Sequence, residues 1–284
     1  MTEHEKLMYT ILGQLSKIDI PIVFKGGLIT SLILEEQGFT DIQRATKDID
    51  ANWISTPPSM SALVDTINNA LGELREYYIA ESSREYGDGK SAGISIREKD
   101  SGDKIITMDI DIKPLIGSKI YYLGETSIKG VLPSEILADK ICAISTDAVF
   151  KHRAKDIIDI YSLSHCTKVS TKEIYEICDK ANRKIKSFDA FFSRKADIEH
   201  AYNKLRGIGG KPPFSDVYAY LSVFVEPFVS KDTSDRLWDV SSSSWEKQSC
   251  SFLSRNMIKD NAKKISEKSA ASQPPQHKKK EHDL

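Results

Sequence analysis

The chain has 284 residues, of which 40% are hydrophobic and 29% charged, with 40 Lys and Arg set against 41 Asp and Glu. This length and mixture support one large domain or two ordinary ones around a buried core, and they exclude both a disordered chain and a small disulfide-stapled scaffold. A formal net charge of −1 gives no global attraction to phosphate, so any polyanion contact has to be a local patch.

The first predicted element is a helix over about 5–17, where Leu7, Ile11, Leu12 and Leu15 recur at helical spacing. Pro21 then opens a short β-branched strand, Ile22-Val23-Phe24. Lys25-Gly26-Gly27 forms a turn, and 28–36 returns to helical spacing. A loop carrying Arg44 and Thr46 leads into 48–54, whose period-two alternation predicts a second strand. Residues 59–74 read as a capped amphipathic helix, and two more strands follow near 93–97 and 104–112, across the turn-forming Asp100-Ser101-Gly102-Asp103. From Pro133 onward apolar residues recur at three and four, so the remainder reads as almost entirely helical, at 134–145, 155–164, 171–186, 194–205 and 215–228. The expected fold class is α/β (α+β): a mixed-sheet domain over 1–132, a helical domain over 133–266, and a disordered polar tail over 267–284 that holds Lys278-Lys279-Lys280.

The cysteines, Cys142, Cys166, Cys178 and Cys250, form no CxxC pair, which argues against a zinc ribbon or a disulfide framework. The opening residues mix charge into their first turns, and no stretch approaches the ~18 apolar residues of a membrane span. A cytoplasmic protein with no membrane partner is expected.

The most informative constellation is Lys25-Gly26-Gly27, then Arg44-Ala45-Thr46-Lys47-Asp48-Ile49-Asp50, then Met108-Asp109-Ile110-Asp111. Alternate strand residues share a face, so Asp48 and Asp50 project together while Ile49 enters the core. Two converging carboxylates repel unless a cation lies between them, and Mg²⁺ takes one or two carboxylates and relies on substrate phosphates for the rest. Glycines that open a helix leave backbone N–H groups accessible at its positive end, where a phosphate can bind. A third carboxylate on a neighbouring strand would let two metals clamp an in-line displacement. Asp109 is the candidate, with Asp111 on the same face as its alternative. Taken singly, a Gly-Gly is usually a turn and Asp-x-Asp often the wet face of an edge strand; in this order they favour a nucleotide–metal site. No GxxxxGK[ST] is present, and Gly207-Ile208-Gly209-Gly210-Lys211 runs into Pro212, so a P-loop is not supported.

Three ordered elements, Phe24-Lys25-Gly26-Gly27, Arg44-x-Thr46-x-Asp48-x-Asp50 and Arg153-x-Lys155-Asp156-x-x-Asp159, resemble the AbiEii/AbiGii-type nucleotidyltransferase toxin family, within the DNA polymerase β-like nucleotidyltransferase superfamily. The likeness runs over about 20–163; Leu28 stands where relatives usually carry Thr or Ser after the glycines. The resemblance implies a nucleotidyltransferase-fold sheet domain and Mg²⁺-dependent transfer of a nucleotide from an NTP, in several relatives to the tRNA 3′ end. It also implies a role as toxin of a type IV toxin–antitoxin or phage-defence pair, with a cognate antitoxin encoded nearby. On this reading Asp48, Asp50 and Asp109 hold metal and Lys25, Gly26, Gly27 and Thr46 hold nucleotide. The rivals are a nucleotidyltransferase acting on a small molecule or protein, and a catalytically silent NTP- or RNA-binding module.

Helical-wheel arithmetic places Lys140 between Ile136 and Ile144 inside an apolar arc, and Asp156 between Ile160 and Leu163 in another, with Asp159 at its edge. Unpaired charge is costly there. Either the two form a buried salt bridge, or Lys140 reaches the triphosphate while Asp156 orients it or acts as base. Lys180, Arg183, Lys184, Lys186, Arg194 and Lys195 surround Phe188, Phe191 and Phe192. They form either an RNA-end contact or a solvated basic face over core phenylalanines.

Overall fold

Alternation along 48–53 buries Ile49, Ala51 and Trp53 on one side and leaves Asp48, Asp50 and Asn52 together on the other, and that division organises the molecule. The computed structural model describes residues 3–86, 91–147 and 153–248; Cys250 and the predicted tail at 267–284 lie outside them.

In chain order the elements are α1 (Glu3–Lys17), β1 (Ile22–Lys25), α2 (Gly26–Glu36), β2 (Asp48–Trp53), α3 (Met60–Ala70), β3 (Tyr78–Arg84), β4 (Ser91–Glu98), β5 (Lys104–Asp111), β6 (Ser118–Leu123) and β7 (Thr126–Val131). The helical half follows with α4 (Pro133–Ile144), α5 (Ala154–Ser164), α6 (Thr171–Lys180), α7 (Asp189–Ser193), α8 (Lys195–Asn203), α9 (Phe214–Phe224) and α10 (Glu226–Val229). A hairpin of β8 (Arg236–Asp239) and β9 (Ser244–Lys247) comes last. The fold class is mixed α/β, as expected.

β1 to β7 form one seven-stranded mixed sheet in the order β3-β4-β5-β2-β1-β7-β6. β1 runs antiparallel to β2 and parallel to β7, and β2 runs parallel to β5. The register sets Asp50 opposite Lys25 on β1 and opposite Asp109 on β5, and sets Asn52 opposite Asp111. Helix α1 packs against β7 and α3, and α3 against β3. Helix α2 packs against β1, β2 and β6 and also touches α4 and α5, so the helical half closes onto the sheet through α2. Gly130 in β7 leaves room for α2 to pack: a Cβ there would meet Ile29 of α2 at 2.7 Å and Tyr121 of β6 at 2.8 Å.

Three local expectations differ from the structure. The predicted helix over 171–186 stops at Lys180, because Asn182 adopts a left-handed φ of 51° and the Arg183 N–H bonds back to the Cys178 carbonyl, a helix-ending arrangement that Asn tolerates. The helix over 215–228 breaks after Phe224, because Pro227 cannot donate to Val223 and begins a new turn instead. Strands β3, β6, β7, β8 and β9 were not expected. The hairpin of β8 and β9 owes its place to aromatic burial: Trp238 is fully buried and packs edge-on against Phe224 at 4.9 Å and Trp245 at 5.2 Å. Its indole N–H donates to the Ser164 carbonyl at 2.8 Å.

Removing that indole should therefore loosen the end of the helical half. Trp238→Ala is expected to lose about 3–5 kcal/mol, seen as a lower urea midpoint; a midpoint within experimental error of wild type would show that the hairpin is dispensable to the core.

Candidate active site

A cavity of about 470 Å³ opens between the polar face of the sheet and helices α4 and α5. Its floor is Lys25, Gly26, Asp50, Asn52 and Asp111, and its opposite wall includes Lys140, Lys155 and Asp156.

The two glycines at its edge are explained by the protein's own side chains. Gly26 has a left-handed φ of 68°, and a Cβ there would fall on the Asp50 carboxylate. A Cβ on Gly27 would meet an Arg44 nitrogen at 2.8 Å and the Thr46 hydroxyl at 3.1 Å. Only glycine lets β2 and the Arg44 loop approach the start of α2 so closely. The start of α2 carries no side-chain cap, so its first N–H groups keep their capacity to bind an anion. Thr30 donates to the Gly26 carbonyl at 3.0 Å, so this hydroxyl is engaged within its own helix.

Asp50 is the exposed end of a conflict. Its side chain has no hydrogen-bond or ion-pair partner among the described residues. Desolvation pushes its pKa up; Lys25 and Lys140 oppose that shift and Asp109 adds to it. The other acidic groups are occupied. Lys25 donates to Asp111 at 2.6 Å and Lys113 lies 3.2 Å from the same oxygen, and the two lysines overcome the effect of burial and hold Asp111 below the usual carboxylate range. Asp109 accepts from Arg84 at 2.8 Å and is partly exposed, and Asp48 is exposed. Asp48, Asp50 and Asp109 thus share a sheet face, but among the described residues no three His, Cys, Asp or Glu groups gather as a metal cage.

Across the cavity Lys140 and Asp156 meet at 2.6 Å, the salt bridge that the helical wheels allowed. The pair belongs to a larger network. Lys140 also lies 2.9 Å from Asp159, and Arg44 clasps Asp159 with two hydrogen bonds of 2.8 and 3.0 Å. Asp159 was expected at the edge of its helix's apolar stripe, but only 3% of its side chain is exposed. Burial opposes its charge; Lys140 and Arg44 prevail and depress its pKa. Burial likewise disfavours the Lys140 ammonium, yet Asp159 and Asp156 outweigh it and raise its pKa. Arg44 is the residue that sequence reasoning quoted without assigning a partner; no local pattern links it to a carboxylate 115 residues away. The glycine run 207–211 turns out to brace the Arg44 loop, with the Gly210 N–H donating to the Asp41 carbonyl at 2.6 Å and the Ala45 N–H to the Gly207 carbonyl at 3.1 Å.

A family model for the nucleotidyl transferase AbiEii toxin of type IV toxin–antitoxin systems matches residues 10–220. The chain belongs to the AbiEii family. This AbiEii protein is accordingly a nucleotidyltransferase, and membership implies an NTP substrate and a cognate antitoxin. No curated protein matches the chain. Among solved structures it is similar to JHP933 from Helicobacter pylori, with 16% identity over 81% of this chain and 94% of that one and a TM-score of 0.46. It is also similar to MenT4, a nucleotidyltransferase toxin from Mycobacterium tuberculosis, with 14% identity over 80% and 90% and a TM-score of 0.40. No helix among the described residues of this AbiEii protein is long and apolar enough to cross a membrane.

Of the basic cluster, Phe188 and Phe191 are core residues and Phe192 is partly exposed, so the first two do not offer a stacking surface. Arg183 pairs with Asp139 and lines the cavity, whereas Lys180, Lys184 and Lys186 are exposed.

Two stability predictions follow from the contrast between Asp159 and Asp50. Asp159→Ala leaves Arg44 and Lys140 with an uncompensated buried charge and should lose about 3–5 kcal/mol. Because the folded pKa of Asp159 is depressed, its contribution is complete above the unfolded pKa of about 4 and declines as pH falls through the folded value. Comparing the acid limbs of wild type and Asp159→Asn checks this, and parallel limbs would refute it. Asp50 has the opposite sign: its raised pKa makes its charged form a liability to the fold at neutral pH, so Asp50→Asn should raise the melting temperature at pH 7 while removing activity. A lower melting temperature would count against a desolvated, unpartnered carboxylate.

Proposed function

We propose that this AbiEii toxin moves a nucleotide from an NTP to the 3′ end of tRNA in a Mg²⁺-dependent reaction, acting in the cytoplasm as the toxin of a type IV pair or in phage defence. The observation that carries the reading is Asp50, a desolvated carboxylate without a partner among the described residues, on the floor of a cavity lined also by Lys25, Lys140 and Lys155. Such a carboxylate suits a cation, and Mg²⁺ is content with one or two carboxylates when substrate oxygens and water complete its shell. Asp50 and Asp48 would hold it, with Asp109, beside Asp50 in the register, as the third ligand and Asp111 as the alternative. Bound there, Mg²⁺ would neutralise charge on the phosphate oxygens of the reacting nucleotide.

The chain's own residues do the rest. The uncapped N–H groups of Gly26 and Gly27 receive the β- and γ-phosphates, and Thr46, packed on Gly27, offers a hydroxyl beside them. Lys25 turns from Asp111 toward the phosphates as a point charge. Lys140, held in place by Asp156 and Asp159, faces the charge that grows on the departing pyrophosphate. Asp156 orients Lys140 and is placed to receive the proton of the attacking hydroxyl, which displaces pyrophosphate from the α-phosphorus in line.

A tRNA acceptor is supported by the family resemblance and by the segment 180–186. There Ala181 and Arg183 line the cavity while Lys180, Lys184 and Lys186 face solvent, as phosphate contacts to an RNA end require.

The test incubates purified protein with Mg²⁺, total tRNA and each α-phosphate-labelled NTP in turn, and resolves the RNA on a denaturing gel. Label should appear with at least one NTP, vanish with EDTA, and fall by at least about 100-fold in Asp50→Ala with unchanged circular dichroism. Label persisting in the variant would remove Asp50 from the site. Label on protein or a small molecule but never on RNA would replace the acceptor.

A further inference from the structure

Two residues beyond Asp50, on the same face of β2, lies Asn52. The residue is 2% exposed and belongs to the cavity floor. Its amide nitrogen donates to the Lys113 carbonyl at 3.0 Å, which fixes the amide's orientation, since the flipped form would bring two oxygens face to face. Its Oδ1 is therefore turned away from that bond, and it is buried without a hydrogen-bond partner among the described residues. A buried acceptor left in this state is costly to the fold, and an unpaired polar atom beside a reaction site calls for an explanation.

We propose that Asn52 reads the nucleoside half of the NTP by accepting a hydrogen bond from it; the inference rests on the nucleotidyltransferase reading above. The ligand must bring a donor, and an ionised triphosphate has none, so the partner is a ribose hydroxyl or a base N–H. The position agrees. On that reading Gly26 and Asp50 form the phosphate end of the floor, and Asn52 is two strand residues further along, about 6.5–7 Å, beside Lys113 and next to the apolar lining that begins at Pro114. Pro114, Leu115, Val131 and Ile136 line the cavity and offer apolar surface for sugar and base. The residue facing Asn52 across β2 and β5 is Asp111, which gathers Lys25 and Lys113. These two flexible side chains are the part of the wall that can turn aside as the nucleotide enters, leaving the backbone in place. Asn52 is thus a specificity-determining residue, separate from the carboxylates that serve the chemistry.

Calorimetric titration of non-transferable α,β-methylene analogues tests this without turnover. Each of the four ribonucleotide analogues, and the 2′-deoxy and 3′-deoxy counterparts of the tightest, is titrated into wild type, Asn52→Leu and Asn52→Ala in the presence of Mg²⁺. Wild type should prefer one analogue by at least about tenfold over a counterpart that lacks its donor, and both variants should lose that margin while still binding nucleotide. A margin lost between ribose and deoxyribose assigns the donor to the sugar, and one lost between bases assigns it to a base N–H. Equal affinity of wild type for every analogue overturns the proposal, and this arm needs no variant to fold. So does a preference that survives both substitutions; in either case bound nucleotide leaves the nucleotidyltransferase reading standing. Failure of wild type to bind any analogue would sink both.

Discussion

The site depends on one buried group of charges. Arg44, from the loop between α2 and β2, clasps Asp159 on α5, and Asp159 shares Lys140 of α4 with Asp156. Two cations and two carboxylates offset one another in a buried setting where any one of them unpaired would be costly to the fold. The arrangement has a geometric consequence: three separate segments are fixed to one another at the edge of the cavity, and Lys140 is held at a defined place on its wall. The loop carrying Arg44 is backed from behind by 207–211, and its guanidinium and Thr46 fill the space above Gly27. A larger residue at Gly27 would press on this structure, and one at Gly26 on the Asp50 side chain, before either touched a substrate.

Against that neutralised group stands Asp50, which lines the same cavity and whose carboxylate has no partner among the described residues. The contrast between a neutralised wall and an unpartnered carboxylate on the floor is the arrangement on which the proposed binding of a cation and a nucleotide rests. Asp111 plays an intermediate part. By drawing Lys25 and Lys113 to one carboxylate it holds two positive charges in the cavity lining without committing them to Asp50. Asn52 extends the same logic from charge to hydrogen bonding, because its donor is used and its acceptor is left over.

Much of this AbiEii fold is legible along the chain. The period-two pattern from Asp48 placed Asp50 on a polar face, the glycine pair marked a strand–helix junction, and the helical wheels exposed Lys140 and Asp156 as charges within apolar arcs. The strands at 118–131 and the hairpin at 236–247 were not legible. Their residues do not alternate cleanly, and they are held by partners distant in sequence, such as Trp238 against Phe224 and Ser164.

Sequence by itself determined the strongly periodic elements, the residue types available for chemistry and the family, because backbone periodicity and motif order are properties of neighbouring residues. Only the tertiary structure decided which charges are neutralised and which are left open. Arg44 finds Asp159, Lys25 finds Asp111, and Asp50 and the Asn52 carbonyl find no partner among the described residues, because electrostatic pairing depends on distances that the chain sets only when β1, β2, β5, α4 and α5 have packed together.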